Sequence, residues 1–261
     1  MVCIYVSLGY RCSTAGILKR LGLKTESFPF DWLISRLPIV HHCIDTDFAF
    51  FLDPQYYQER QTHVTHYYPG TNPAPATICH ETVFHHTYYE SLFGPQIRLP
   101  EPLSIQNNDS YACLFAINHR DIRTDDSQAY YRRCIARFRT LLTKTNVVSV
   151  YIHPTINQTE FAEQKDNLLM EFLDTPAIPK QWRKIFFLIV RTDHPYPITD
   201  HLPEFVEKLV ETIHTTVFVV YTNRDFIDAG EIFMQNAYIE TDKICELIQG
   251  YNTTALIYPY P

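Results

Sequence analysis

Glycine is scarce, with 7 in 261 residues against 17 prolines. So few glycines argue against a flexible linker. Neither G-x-G-x-x-G after the first apolar run nor G-x-x-x-x-G-K-[ST] occurs, which excludes a Walker-type nucleotide site and disfavours a dinucleotide site. Positive charge is also in short supply. Lys and Arg number 22 against 29 Asp and Glu, a net charge of −7, the wrong balance for a general nucleic-acid binder. No apolar run approaches the ~18 residues of a membrane-spanning helix. The opening MVCIYVSLGYRCST lacks the basic-then-apolar layout of a signal peptide, so a cytoplasmic location is expected. Seven scattered cysteines (Cys3, Cys12, Cys43, Cys79, Cys113, Cys134, Cys245) include no C-x-x-C pair and no zinc-finger spacing. They read as thiols in a reducing compartment, and the N-x-[ST] matches at Asn108, Asn157 and Asn252 then count as chance.

What is present is enough for a core. Hydrophobic residues make up 46% and aromatics 14%, and a chain of this size buries about 70% of its unfolded surface without a metal or disulfide. Val2–Leu8 reads as a buried strand broken by Gly9, and Cys12-Ser13-Thr14 opens a helix that ends at Gly22. Ser27–Leu33 reads as a turn leading into a short helix. From about 48 to 110, aromatics, histidines and prolines crowd together. That stretch is expected to be an irregular loop or lid, with short helices around Pro54–Arg60 and Phe84–Phe93.

The second half alternates. Strands are expected at Tyr111–Ile117, Val147–Ile152, Ile185–Val190, Val217–Tyr221 and Ala255–Tyr258. Helices are expected over 131–142, around 161–172, over 205–213 and at Asp242–Ile248. Continuous apolar strands alternating with helices imply a parallel sheet covered on both faces. The expected fold is one three-layer α/β domain over residues 1–261, with a mainly parallel central sheet and an aromatic and His-rich insertion.

Cys12 is the thiol best placed for chemistry. It follows a strand by a short turn and stands at a helix start, where unpaired amides and the helix dipole favour a thiolate; Arg11 beside it adds positive charge. It could equally be a small buried residue packing the first turn. A nucleophilic cysteine needs an imidazole base and a group to orient it. His80, followed by Glu81, is one nomination among twelve histidines, with His63, His66, His85 and His86 as neighbours in sequence. Asp31 is the early carboxylate, with a helix-cap role as its alternative. The spacing His63-x-x-His66 is too weak a signal to predict a metal, and no cofactor is expected. Arg133 and Arg137 share a helix face with Arg132 beside them, either a solvated surface or a clamp for phosphate or carboxylate. Arg120, in His119-Arg120-Asp121, and Arg224, in Thr222-Asn223-Arg224-Asp225, stand at expected C-terminal strand ends, the edge where open α/β sheets place ligands.

Taken together, Ser7-Leu8-Gly9-x-x-Cys12, Leu21-Gly22-Leu23 and Ser27-x-Pro29-Phe30-Asp31-Trp32-Leu33 resemble the opening of a domain-of-unknown-function family labelled papain-like cysteine peptidase. Tyr131-Arg132-Arg133-x-Ile135-x-Arg137-Phe138 resembles its second signature, a basic helix before a strand, and His80-Glu81 could stand for its His–acid pair. The resemblance implies a cysteine hydrolase. Cys12 would be the nucleophile and His80 the base, with Asp31 or Glu81 orienting it and helix-start amides forming the oxyanion hole.

A parallel α/β domain with arginines at strand ends also suits a metal-independent glycosyltransferase. There Arg11, Arg120, Arg132, Arg133, Arg137 and Arg224 would face a sugar-nucleotide donor, and Trp32 would stack on sugar or base. A binding module using segment 54–95 is a third possibility. The expected partner is a peptide, a small molecule or a glycan, with no nucleic acid and no membrane span.

Overall fold

The computed structural model describes residues 3–67, 76–95, 114–117, 119–153, 156–192, 206–222 and 239–254. Its largest element is a six-stranded sheet. Strands β1 (Ile4–Ser7), β6 (Val147–Ile152), β8 (Arg183–Arg191) and β10 (Thr215–Thr222) run parallel in that spatial order, and β7 (Ile156–Asn157) also pairs with β8. Strand β9 (Val206–Glu211) closes one edge antiparallel to β10. The parallel strands are the continuous apolar runs seen in the sequence, and they are continuous because both faces are buried. Along β8, Phe186, Leu188 and Val190 enter one apolar cluster while Ile185, Phe187 and Ile189 enter another.

Helix α1 (Cys12–Arg20) supplies Ile17 and Leu18 to one face, joined by Ile244, Cys245 and Ile248 of α6 (Ile239–Thr254). An Arg20–Asp242 ion pair at 2.7 Å links the two helices. The other face receives α2 (Leu37–Asp45), α4 (Asp125–Leu142) and α5 (Gln158–Leu173). Their ends are set locally. Thr124 accepts from Ser127 N–H at the start of α4, and Asn157 accepts from Glu160 N–H at the start of α5. The α/β expectation with a mainly parallel central sheet therefore holds.

Three elements differ from expectation. Much of 48–110 is regular: β3 (Tyr57–Tyr67) and β4 (Ala76–His86) form an antiparallel pair from Tyr57 opposite His86 to Tyr67 opposite Ala76. With β5 (Phe115–Ile117) and β2 (Leu33–Ser35) they make a second, four-stranded sheet ordered β2-β5-β4-β3. Only a 3-10 turn at Pro54–Tyr56 and the helix α3 (Thr87–Phe93) remain of the short helices expected there. Polar strands such as YQERQTHVTHY carry little hydrophobic alternation, so the period-2 signal fails. Next, 206–211 is strand rather than helix. Its Val/Leu spacing fits a helical face, but ladder bonds to β10 decide the outcome. Finally, the turn at Ser27–Leu33 leads into β2, and a helix follows only at Leu37. The expected last strand at Ala255–Tyr258 lies outside the described residues.

An aromatic cluster joins the two sheets. Phe30 packs on Phe48, Phe51 and Phe138 with ring centroids 5.7–6.3 Å apart, and Phe51 continues to Phe115 and Tyr131.

Candidate active site at the end of the first strand

The chain leaves β1 at Ser7 and becomes helical at Cys12, and the five residues from Leu8 to Cys12 set the geometry. Leu8 N–H donates to Val150 O (2.9 Å) and Tyr10 N–H to Ile152 O (3.4 Å), so the exit from β1 runs beside β6. Tyr10 also bridges Ser35, whose N–H donates to Tyr10 O at 2.9 Å. One residue thus ties the parallel sheet to the antiparallel one. The turn depends on Gly9, whose φ of 97° is left-handed. A Cβ there would stand 2.1 Å from Ser35 Oγ, which itself donates to Leu8 O.

Cys12 is the first residue of α1 and is half-buried; Arg11, also half-buried, is its N-cap and offers no side-chain cap bond. Thr14 Oγ1 donates to Gly9 O (2.6 Å) and locks the turn against the helix. Lys19 and Arg20 in the last turn suit the dipole's negative end. Cys12 thus sits at the C-terminal edge of the parallel strands, where open α/β sheets carry their chemistry. The other described thiols are differently placed. Burial pushes the Cys43 thiol up to about 12 and raises Cys134 and Cys245, while Cys3 is half-buried at the opposite end of β1.

The nominated partners are dispersed. His80 and Glu81 stand in β4, in register with His63 and Thr62. Three inter-strand steps, roughly 14 Å, separate β4 from Tyr10 through β5 and β2, and His80 is a further four residues along the strand from Phe84, the last residue paired to β5. The structure does not make His80 a backbone neighbour of Cys12. His85 and His86 are absorbed by packing. His85 Nδ1 pairs with Glu90 (2.9 Å), while His86 stacks on Tyr89 at 4.0 Å and bonds Phe50 O through Nε2. Among the described residues no Cys–His pair is formed.

Two histidines are nevertheless carried toward this end of the sheet. His153 directly follows β6, the strand beside β1, and its N–H donates to Phe187 O at 2.7 Å. His119 follows β5 by two residues, and its ring meets Trp32 at 6.4 Å. Sequence reasoning passed over His153. The signal was available: it is the residue immediately after a continuous apolar strand, the same rule that singled out Arg120 and Arg224.

Asp31 is buried (1% exposed) and structural in its contacts. Its Oδ2 accepts from Phe28 N–H (2.7 Å) and pairs with Lys24, closing the Phe28–Asp31 turn. Burial pushes its carboxyl up to about 6 although Lys24 pulls the other way. An acid held above its unfolded value keeps its proton more tightly when folded, so its contribution to stability falls as pH rises from about 4 to about 6. His41 and His86, pushed down to about 4 by burial, contribute the opposite slope from there to about 6.5. Asp31→Asn is therefore expected to make stability climb more steeply across pH 4–6, measured as urea midpoints at pH 4, 5 and 6. An unchanged slope would refute the raised carboxyl.

The arginines do not converge either. Arg120 lies over Tyr130 (4.2 Å) and Arg132 reaches Gln128 Oε1 (3.4 Å). Arg137 donates to Ser27 O (3.3 Å) near Glu26, and Arg133 is exposed on α4. Half-buried Trp32 has Lys24 Nζ 5.9 Å from its ring. Arg224 lies outside the described residues. Within those residues no helix is long and apolar enough to cross a membrane, and no group of three or more His, Cys, Asp or Glu is placed to hold a metal.

No curated protein and no solved structure matches the chain. One family model does, over residues 3–220, a span running from β1 into β10 and including Cys12, His153 and the whole aromatic cluster. The chain belongs to the domain-of-unknown-function family named "Putative papain-like cysteine peptidase".

Proposed function

We propose that this protein is a cysteine hydrolase of the peptidase type, with Cys12 as nucleophile and His153 as the imidazole that activates it. The observation that carries this reading is the position of Cys12: first residue of α1, half-buried, at the C-terminal edge of the parallel strands. Sulfur at a helix start is surrounded by amide N–H groups that lack intrahelical acceptors and favour negative charge. The same amides suit an acyl oxyanion once the thiolate has attacked a carbonyl. His153 is favoured over His80 because the Tyr10 N–H in the turn before Cys12 donates to the O of Ile152, the residue just before His153. Catalytic hydrogen bonds commonly tighten only when substrate binds.

The order of alkylation tests the nucleophile. With iodoacetamide at pH 6.5, followed by peptide mapping, Cys12 is expected to be labelled before any other cysteine. Cys43 is expected to be among the last, since it is fully buried and bonded to Tyr89 at 3.0 Å. Labelling of Cys12 at the rate of Cys43 would end the proposal.

A further inference from the structure

Around the start of α2 lies a group of buried hydrogen-bond donors that the proposed hydrolase chemistry does not use. Arg36, the residue before α2, is 4% exposed, and its guanidinium lies over the Tyr10 ring at 4.7 Å. Among the described residues neither its Nε nor its Nη2 has a hydrogen-bond partner, and the buried hydroxyls of Tyr10 and Tyr151 are in the same condition. The Tyr151 hydroxyl feels Arg36, Tyr10 and Glu171 electrostatically, together with the N–H of Leu37, the first residue of α2. No side chain caps that helix, which is nine residues long. Donors from the β1–α1 turn, from β6 and from the residue before α2 therefore share one place in the interior.

Three other buried ionisable groups each have a side-chain partner, although Asp31 Oδ1 has none among the described residues. Lys184 donates to Thr175 Oγ1 (2.9 Å), Asp31 pairs with Lys24 and His85 with Glu90. An acid that feels Arg36 is Glu171 of α5. Burial pushes its carboxyl up to about 7 while Arg36 pulls it down, and it accepts from neither Nε nor Nη2. A guanidinium buried without a hydrogen-bonded counter-charge is among the costlier arrangements in a protein. Arginine's planar fork is at the same time the side chain best matched to an oxoanion. The start of α2 adds the positive end of a helix dipole, while its Ile39 and Val40 amides donate to Arg36 O at 3.0 Å.

We infer that this is a binding site for an oxoanion, the phosphate or carboxylate group of a small molecule, held by Arg36 through Nε and Nη2 and by the Tyr10 and Tyr151 hydroxyls. It stands independently of the role given to Cys12. Tyr10 and Tyr151 belong to the apolar cluster on one face of the parallel sheet, whereas α1 packs its Ile17 and Leu18 on the other. An ionised Glu171 opposes the bound anion, so it sets affinity from the side of α5.

The test uses full-length Cys12→Ser protein, so turnover does not enter the readout. Thermal unfolding and calorimetric titration are run with sodium phosphate and with sodium acetate, each against sodium chloride at matched ionic strength. A higher Tm with phosphate, acetate or both, relative to chloride, is expected from binding linkage, and the effective anion tells a phosphate group from a carboxylate. Tyr151→Phe keeps the ring in place and is expected to weaken binding about fivefold, the scale of one hydrogen bond. Arg36→Lys is expected to weaken it about tenfold or more through loss of the fork, and Glu171→Gln to strengthen it. The inference is overturned if neither anion raises Tm above chloride, or if Tyr151→Phe and Arg36→Lys bind as the parent does.

Discussion

Cys12→Ala is expected to lower hydrolysis by at least about a thousandfold, because it removes the attacking atom and leaves only binding and oxyanion stabilisation. The assay is a panel of fluorogenic amide and ester substrates, with the variant compared on whichever substrate the parent protein cleaves fastest. Cys12→Ser should lose nearly as much, since a hydroxyl in place of a thiol is a far weaker nucleophile without a base tuned to it. The fold should tolerate both changes, because Cys12 is only half-buried and α1 is anchored by Ile17, Leu18 and the Arg20–Asp242 pair. Replacing the base is expected to cost less than replacing the nucleophile, so His153→Gln should fall by about a hundredfold or more. Full activity in Cys12→Ala would remove the cysteine mechanism altogether. Full activity in His153→Gln, with loss in His119→Gln or His80→Gln, would keep the mechanism and move the base.

The largest effect on stability is expected from Phe30→Ala. Phe30 is fully buried, and its ring meets Phe48 at 5.8 Å, Phe51 at 6.3 Å and Phe138 at 5.7 Å, the last two nearly edge-on. Truncating such a ring removes its transfer free energy and leaves a cavity that neighbours fill only in part, a cost of about 3–5 kcal/mol. For a chain of this length that corresponds to a fall in Tm of roughly 6–12 °C. The site should feel it as well. Phe30 sits in the Phe28–Asp31 turn just before β2, and Ser35 of β2 receives the bridge from Tyr10 two residues ahead of Cys12. A loss below about 1 kcal/mol in urea unfolding would mean that the cluster is looser than its geometry implies.

The site was legible in proportion to how local its causes are. Val2–Leu8, Gly9 and Cys12 announced a strand, a break and a helix start, and the structure has β1 at Ile4–Ser7, a left-handed Gly9 and α1 beginning at Cys12. The 131–142 periodicity identified α4, which begins earlier, at Asp125, because Thr124 caps it. The β3–β4 pair was hidden because the β3 sequence YQERQTHVTHY is mostly polar and shows little period-2 alternation. Strand β9 was hidden because an edge strand with Val206, Leu209 and Val210 has the same spacing as a helix face. Arg36 drew no notice, since nothing in Ser35-Arg36-Leu37 distinguishes a buried guanidinium from a solvated one.

By itself the sequence determined the class of fold, the placement of a thiol at a helix start and the turn that presents it, since each is decided by residues a few positions apart. Only the tertiary structure decided which elements stand beside that thiol. Ser7 lies against Val150 and Tyr10 against Ser35 because strand pairing joins distant segments through backbone groups that every residue carries alike. The same nonlocal pairing sets His153 at the end of the neighbouring strand and holds His80 out on the second sheet. It also closes β6, α2 and α5 around Arg36, where burial gives an ordinary arginine a role that its neighbours in the chain do not reveal.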